Sequence, residues 1–178
     1  MKFYITILFI MLFTMPILAQ QQKIFIKIDN LDGESIDALH KNWIDAYAYS
    51  GGLTHSFTYQ GGGIVAGKNN FNDYVFTVCL DKSALPMKRN LAMGSHIPTI
   101  LVEFFKDYNG TSYKYSSISM GDVLITSIIE GTSTDINKTN INVTFNCARV
   151  TYSYYSIGKK APDFIFGWDI ANNMLLPQ

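Results

Sequence analysis

The sequence predicts a mainly all-β domain, a compact barrel or sandwich of two packed sheets with one short helix. The 178 residues include 11 Tyr and 12 Phe, and aromatic residues favour strands over helices. Seven or more short segments alternate apolar and polar residues with turn residues between them, as in sandwiches and barrels. Because 48% of the residues are hydrophobic and 16% are charged, the composition is that of a folded domain and not of a disordered chain.

The charge, cysteine and histidine content excludes several classes of function. The 14 basic and 14 acidic side chains give a net charge of zero, whereas a nucleic-acid binder carries a basic patch or stripe. Two cysteines and three histidines are too few for a disulfide framework or a zinc cluster. We therefore expect no nucleic-acid partner, no metal and no cofactor.

The first 19 residues have the pattern of a secretory signal. Lys2 precedes an uncharged apolar run over residues 3–19, and the small residue Ala19 suits a cleavage site. The chain is thus divided into a signal peptide over residues 1–19 and a β domain over residues 20–178, and only the signal would contact a membrane. Two alternatives stay open. The run approaches the ~20 residues of a membrane anchor, and translation from Met15 would remove the signal.

The first half of the domain combines strands with a long loop. Residues 24–28 alternate isoleucine with other side chains, which is the period of a strand. Residues 43–50 predict a second strand, one face of which carries Trp43, Asp45, Tyr47 and Tyr49. Residues 51–72 contain six glycines and almost no apolar run. We expect a long loop there, and loops of this length are usually functional.

A short helix and a tight hairpin are predicted next. After a strand over residues 74–80, the helix spans residues 83–93, because residues 81–83 can cap its start and Gly94 suits the position just past its end. Asn109-Gly110 predicts a two-residue turn. This turn joins strands over residues 99–108 and 111–119.

Three further strands complete the domain, over residues 122–130, 141–155 and 164–170. In the second of these, apolar residues occupy odd positions as far as Cys147 and even positions from Val150. Such a change of phase predicts a β-bulge near Ala148 and Arg149, where the strand bends around a corner of the barrel or sandwich.

Residues with catalytic potential form no recognisable site. The segment over residues 62–69 matches a phosphate-binding loop up to Lys68, but Asn69 replaces the required Ser or Thr and no helix is predicted to follow. His40, His55 and His96 lack the spacing of metal ligands. Cys79 and Cys147 either pair in an exported protein or act as small buried apolar residues. We predict no enzymatic activity.

Several segments, in order, resemble one protein family. They are Phe25-Ile26-Lys27-Ile28, Gly33-Glu34-Ser35 with His40, Ile44-Asp45 before an Ala-aromatic-Ser that ends at Ser50, Gly67-Lys68, Phe76-Thr77, Asp81-Lys82-Ser83, Gly94 with His96-Ile97-Pro98, Asn142-Val143-Thr144 and Gly167-Trp168-Asp169-Ile170. This succession resembles Hcp, the haemolysin-coregulated protein family of the type VI secretion inner tube. The resemblance runs over residues 23–172.

The resemblance implies a single β-barrel with one helix on its side that assembles into a homo-hexameric ring. Rings of this family stack into a tube that carries effectors, and their further partners are the tube tip protein and the sheath. Ser50 matches the family serine that faces the lumen and contacts cargo. Residues 58–70 match the loop that reaches an adjacent ring, and the stacking candidates within it are Tyr59, Gly61, Gly62, Gly63, Gly67 and Lys68.

Two functions from different classes therefore stay open. Translation from Met15 predicts a cytoplasmic tube subunit that the type VI system secretes. Cleavage after Ala19 predicts a periplasmic or secreted Hcp-like binding or effector protein that is not built into a tube, because tube subunits of the family assemble in the cytoplasm.

Overall fold

The computed structural model describes residues 22–108, 110–133 and 138–177. The described residues form ten strands and one helix: β1 Gln22–Ile28, β2 Ile44–Ser50, β3 Leu53–Gln60, β4 Gly63–Phe71, β5 Tyr74–Cys79, α1 Ala84–Met93, β6 Ile97–Tyr108, β7 Thr111–Ser133, β8 Lys138–Tyr154, β9 Phe164–Asp169 and β10 Met174–Leu175. The signal predicted for residues 1–19 lies outside the described residues. Within these ranges, no helix is long and apolar enough to cross a bilayer.

Six of the strands close into a barrel. They follow the order β8, β5, β2, β1, β6 and β7, and a further pairing between β7 and β8 closes the ring. All strand pairs are antiparallel. Strands β9 and β10 extend the sheet from β8, while β3 and β4 form a separate two-stranded hairpin. Of the two predicted all-β architectures, the chain adopts the barrel.

The core fills the barrel with the inward residues of each strand. In β5 the alternation is strict, because Tyr74, Phe76 and Val78 are buried and the residues between them are not. Phe76 contacts Tyr49 of β2 and Phe145 of β8, with ring centroids 5.0 and 5.9 Å apart. Burial of such side chains contributes ~1.5–3 kcal/mol each, so this interior is the main source of stability.

Strand β8 changes its inward face, as the sequence predicts. Cys147 and Val150 are both buried, although Cys147 occupies an odd-numbered position and Val150 an even-numbered one. No register shift accompanies the change at residues 148–149, so the predicted bulge there is wrong. The irregularities are on β7. Asp122 has a φ of 54° between the pairs Gly121–Arg149 and Val123–Cys147, and the register shifts between Ile125 and Ser127. The two strands predicted over residues 111–119 and 122–130 are therefore one long, bent strand.

The helix agrees with its prediction. Gly94 ends it in the left-handed conformation, and Ser95 donates its N–H to the Asn90 carbonyl at 2.9 Å, a Schellman motif. Ser83 stands at the start but makes no side-chain cap. Ala84 and Met87 are buried on the side of the helix toward β7.

Two predictions for residues 43–72 are wrong. A bulge between Ala46 and Ala48 changes which residues of β2 point into the barrel. Tyr49 therefore packs into the core against Phe76 and Phe104 and does not share a face with Trp43. Residues 51–72 are not an irregular loop, because β3 and β4 account for most of them. The two strands pair only with each other and do not pack into the core, so neither of them needs a run of apolar residues.

A second aromatic cluster lies outside the barrel, around His40. Its imidazole is 3% exposed and stacks parallel to the ring of Phe25, with centroids 4.0 Å apart. Trp43 and Phe105 contact it edge-on at 4.8 and 4.9 Å. The segment between β1 and β2 thus covers the outer face of β1 and β6.

Both nitrogens of this imidazole meet carboxylates. Nδ1 lies 2.8 Å from Asp37 Oδ1, and Nε2 lies 2.9 Å from Glu103 Oε2. The other oxygen of Glu103 accepts from Lys114 Nζ at 2.9 Å. Burial is the largest single effect and lowers the pKa of Lys114, but the hydrogen bond and charge of Glu103, together with Tyr155, outweigh it, so the pKa is raised. This chain of polar contacts fastens the covering segment to the barrel.

We expect His40→Ala to destabilise the protein by about 3 kcal/mol, because it opens a cavity in the aromatic cluster and removes one of the two polar partners of the Glu103 carboxylate. His96→Ala is the matched control. Its Nδ1 also meets a carboxylate, Asp122 Oδ1 at 2.6 Å, but both side chains are exposed, so the change should stay within about 1 kcal/mol. Urea unfolding measures both. Equal costs would contradict the stabilising role of the cluster.

Candidate functional site

The predicted stacking residues lie on the hairpin of β3 and β4. Gly61 and Gly62 form its turn with φ of 60° and 84°. Gln60 pairs with Gly63, and Tyr59 with Ile64. Positive φ at both central positions is the geometry of a type I′ turn, in which glycine carries no steric penalty. A Cβ on either turn glycine would meet no atom within 4 Å, so the tip stands free of the rest of the described chain.

Gly67 and Lys68 form a bulge in the middle of the hairpin. The register shifts between His55 and Phe57. Opposite this point, a Cβ on Gly67 would come within 2.3 Å of Ser56 Oγ. Lys68 donates its backbone N–H to Ser56 Oγ at 2.9 Å, and that hydroxyl donates to the Lys68 carbonyl at 3.2 Å. The glycine is therefore needed for strand pairing and not for binding a phosphate.

The hairpin projects from the barrel and is bare. Every residue of β3 is exposed, including Phe57, while Tyr59 is 74% and Ile64 68% exposed. Only its base is anchored, where Phe71 stacks on Trp168 of β9 with centroids 6.4 Å apart. Since a two-stranded hairpin alone is marginally stable in water, this element lacks the packing that would fix it.

Ser50, the predicted lumen residue, lies on a broad outer face of the barrel. It pairs with Val75, which pairs in turn with Thr144, and Thr144 with Ser127. A second row crosses the same four strands from Ala48 through Thr77 and Asn142 to Ile129. We call these eight residues the outer wall: Ala48, Ser50, Val75, Thr77, Ser127, Ile129, Asn142 and Thr144.

The eight side chains of the outer wall are uncharged, and two of them bond to each other. All eight side chains are exposed or half-buried. Thr77 Oγ1 donates to Asn142 Oδ1 at 2.7 Å. At the edge of the wall, Asp73 accepts from Asn146 Nδ2 at 2.6 Å and from Thr126 Oγ1 at 3.2 Å. The surface therefore presents hydroxyl, amide and small apolar side chains, with one carboxylate at its edge.

Of these eight residues, only Ser50 was predicted from the sequence as a contact for cargo. Its neighbours come from four strands that pair at long range, so no local motif connects them. One signal was present: in residues 74–79 the non-core positions are Val75, Thr77 and Cys79, small side chains where an ordinary solvent-facing strand would carry charges.

The two cysteines are free thiols. Cys79 pairs with Asn140 across β5 and β8, so Cys147 lies seven positions further along β8, roughly 23 Å away at ~3.3 Å per residue. A disulfide needs Cα atoms within ~7 Å, so the pairing that the sequence left open is not formed. Burial, with a contribution from Asp73, raises the pKa of Cys147 to about 12, and this thiol behaves as a core residue.

The three histidines do not converge. His40 belongs to the outer aromatic cluster, His55 pairs with Asn69 on the hairpin at 2.5 Å, and His96 pairs with Asp122. Within the described ranges, no three His, Cys, Asp or Glu side chains are grouped to hold a metal ion. The candidate functional features are therefore two surfaces, the bare hairpin and the outer wall.

Known proteins share this architecture. Among solved structures, the barrel is similar to a type six secretion system protein, with a TM-score of 0.79 and 23% identity, over 88% of this chain and 100% of the other. It is also similar to Hcp1 from Salmonella typhimurium, with a TM-score of 0.74 and 23% identity, over 87% of this chain and 99% of the other. At such identities the likeness shows the fold.

Sequence comparison extends from fold to family. The family model of the type VI secretion system effector Hcp matches residues 25–157. The protein hcp1 of Pseudomonas aeruginosa is 33% identical over 155 residues, which cover 84% of this chain and 96% of that protein. The family-model match contains β2 to β8, and with them the outer-wall strands and the hairpin. The chain therefore belongs to the Hcp family of type VI secretion proteins.

Proposed function

We propose that the chain is a structural subunit that forms hexameric rings, which stack and carry effectors through their lumen. The observation that carries the proposal is the bare hairpin. It places Phe57, Tyr59 and Ile64 in solvent, although an uncovered two-stranded ribbon gains little stability alone. Contact with an adjacent ring would supply the missing packing, and that is the role that the family resemblance assigns to this segment.

The outer wall supports the second part of the proposal. A lumen that passes different effectors must be wetted and must not hold any of them tightly. Ser50 and Thr77 lie on a face without charge, and the Thr77 hydroxyl is already bonded to Asn142. Cargo that slides over such a face leaves no strong ion pair to break.

The remaining partners follow from the family. The Hcp family is a structural secretion-system family and not an enzyme family, and carriage needs neither catalysis nor a cofactor. The partners that we propose are further copies of the chain, effectors, the tube tip protein and the sheath.

Sedimentation velocity and electron microscopy test the assembly. We expect hexamers, part of them stacked. A chain whose hairpin is shortened by replacing residues 56–67 with a glycine-rich turn should give single rings, because the barrel keeps all six strands while the stacking contact is lost. A stable monomer at millimolar concentration, or unchanged stacking of the shortened chain, would contradict the proposal.

Ser50→Arg tests the outer wall as the cargo surface. We expect rings to form as before and the amount of type VI effector bound per ring to fall about tenfold, because a cargo that covers the new charge leaves it without a partner. Ser112→Arg is the control, since Ser112 is exposed at the start of β7 and lies outside the wall. The readout is effector co-eluting with rings from cells that express both.

A second function is favoured by one observation, the apolar run that follows Lys2. If this run is a signal, the chain is an exported Hcp-like binding or effector protein outside the tube. The intact mass of the protein from its own cells separates the two functions. We expect a mass beginning at Met15 for a tube subunit, whereas a mass beginning at Gln20 would show cleavage after Ala19 and support the exported form.

A further inference from the structure

The imidazole of His40 lies between the covering segment, which is residues 29–43 between β1 and β2, and the barrel. Its two nitrogens face carboxylates on different elements. Asp37, three residues earlier in the segment, places Oδ1 2.8 Å from Nδ1, whereas Glu103 of β6 places Oε2 2.9 Å from Nε2. This imidazole therefore links the segment to the barrel through two hydrogen bonds.

Both carboxylates are held in their ionised form. Asp37 Oδ1 also accepts the backbone N–H groups of Leu39 and His40, at 3.0 and 3.1 Å. Burial raises the pKa of Asp37, but its bonds to His40 and to these backbone groups outweigh it, so the pKa is lowered. Glu103 Oε1 accepts from Lys114 Nζ at 2.9 Å, and an ammonium group at that distance favours the ionised carboxylate.

The number of protons on the imidazole follows from its partners. An ionised carboxylate only accepts hydrogen bonds, and a neutral imidazole has one N–H and one lone pair. A neutral His40 would therefore turn a lone pair toward one of the two carboxylates, at 2.8 or 2.9 Å, whereas an imidazolium donates to both. The ring of Phe25 also suits a cation, because it lies parallel to the imidazole at 4.0 Å and its π face attracts positive charge.

We propose that His40 is an imidazolium that acts as a proton-dependent latch, closed while both nitrogens are protonated and open when Nε2 loses its proton. Two observations select Nε2. Asp37 shares a turn with His40, whose N–H donates to the Asp37 carbonyl at 3.2 Å, so Asp37 cannot withdraw alone. Glu103 is partly neutralised by Lys114 and holds the proton less strongly. Loss of the proton thus acts on the bond to the barrel, in a single chain and with or without a ring.

The charged surroundings of His40 leave the imidazole as the group that titrates near neutral pH. The other charged or titratable groups of the segment and of the outer face beneath it are Asp29, Asp32, Glu34 and Lys41 of the segment, Lys23 and Lys27 of β1, Asp45 of β2, Asp107 of β6, Lys114 of β7 and Tyr155 just beyond β8. Carboxylates ordinarily titrate below about pH 5, and lysine and tyrosine at about pH 10. A change in the latch between these limits therefore reports on His40.

The latch is closed in mildly acidic solution and opens as the pH rises. Because the folded chain favours the protonated imidazole, its contribution to the free energy of unfolding is complete at low pH and is lost when the proton leaves. Asp37 sets the acid limit. Its pKa is lowered, so its contribution is present above the ordinary value and is lost as the pH falls through the lowered one. An open latch leaves Phe25 and Phe105 without their cover.

Nuclear magnetic resonance of the full-length chain with ¹⁵N-labelled histidine tests the charge. Both nitrogens of His40 should carry a proton at about pH 7.5, where an unperturbed histidine, half-protonated at about pH 6.5, has largely lost the second one. The exposed His55 and His96 are references in the same spectrum, and the His40 signals are those missing from His40→Gln. A nitrogen of His40 without a proton at that pH would overturn the proposal.

Urea unfolding at several pH values tests the latch. Between about pH 6 and about pH 9 the wild type should lose roughly tenfold in its folding equilibrium constant relative to His40→Gln, because glutamine has no proton to lose. Glu103→Gln should move this loss to lower pH, since it removes the charge that holds the proton. Asp122→Asn is the matched control, because it removes the carboxylate beside the exposed His96 and should leave the loss unchanged. A difference between wild type and His40→Gln that does not vary with pH would overturn the latch.

Discussion

Closure of the barrel by pairing between β7 and β8 is the constraint on which the other features depend. The two strands pair from Ser133 and Lys138 to Ser116 and Tyr154, and this ladder turns an open sheet of six strands into a ring. A closed barrel has no free strand edges. Copies of the chain can therefore associate only through what is added to the barrel or through its outer faces. The elements added are the hairpin and the strands β9 and β10. Strand β9 pairs with β8 of the barrel, and the hairpin stacks Phe71 on Trp168 of β9.

The outer face of the barrel is divided by the segment between β1 and β2. That segment covers β1 and β6 because His40 and its aromatic neighbours attach it there, with Glu103 and Lys114 completing the attachment. Strands β2, β5, β8 and β7 stay uncovered on their outer side. One side of the barrel therefore stabilises the fold, and the other carries the uncharged side chains of the outer wall.

Local signals were sufficient for most strands of the barrel and for the helix and its glycine end. Features that depend on pairing between distant strands could not be predicted from such signals. The hairpin of β3 and β4 was missed because a ribbon that packs on nothing needs no buried face, and without one its glycines suggest a loop. Tyr49 was placed on the wrong face because the bulge before it has no sequence mark. Of the outer wall only Ser50 was predicted, and that from a family resemblance, because the other members lie up to 94 residues away, in Thr144, and meet only in the folded barrel. The acidic Glu103 within the apolar run of β6 was the one available hint of the His40 cluster.

Strand β8 pairs with β5, β7 and β9, and this has a mechanical consequence. A push or pull on the β9 extension enters the barrel along the length of β8, in shear. The hydrogen bonds of an antiparallel ladder lie across the strands, so many of them resist such a load at once and none has to break first. The same strand that completes the fold is thus suited to carry a load along its length without opening the barrel.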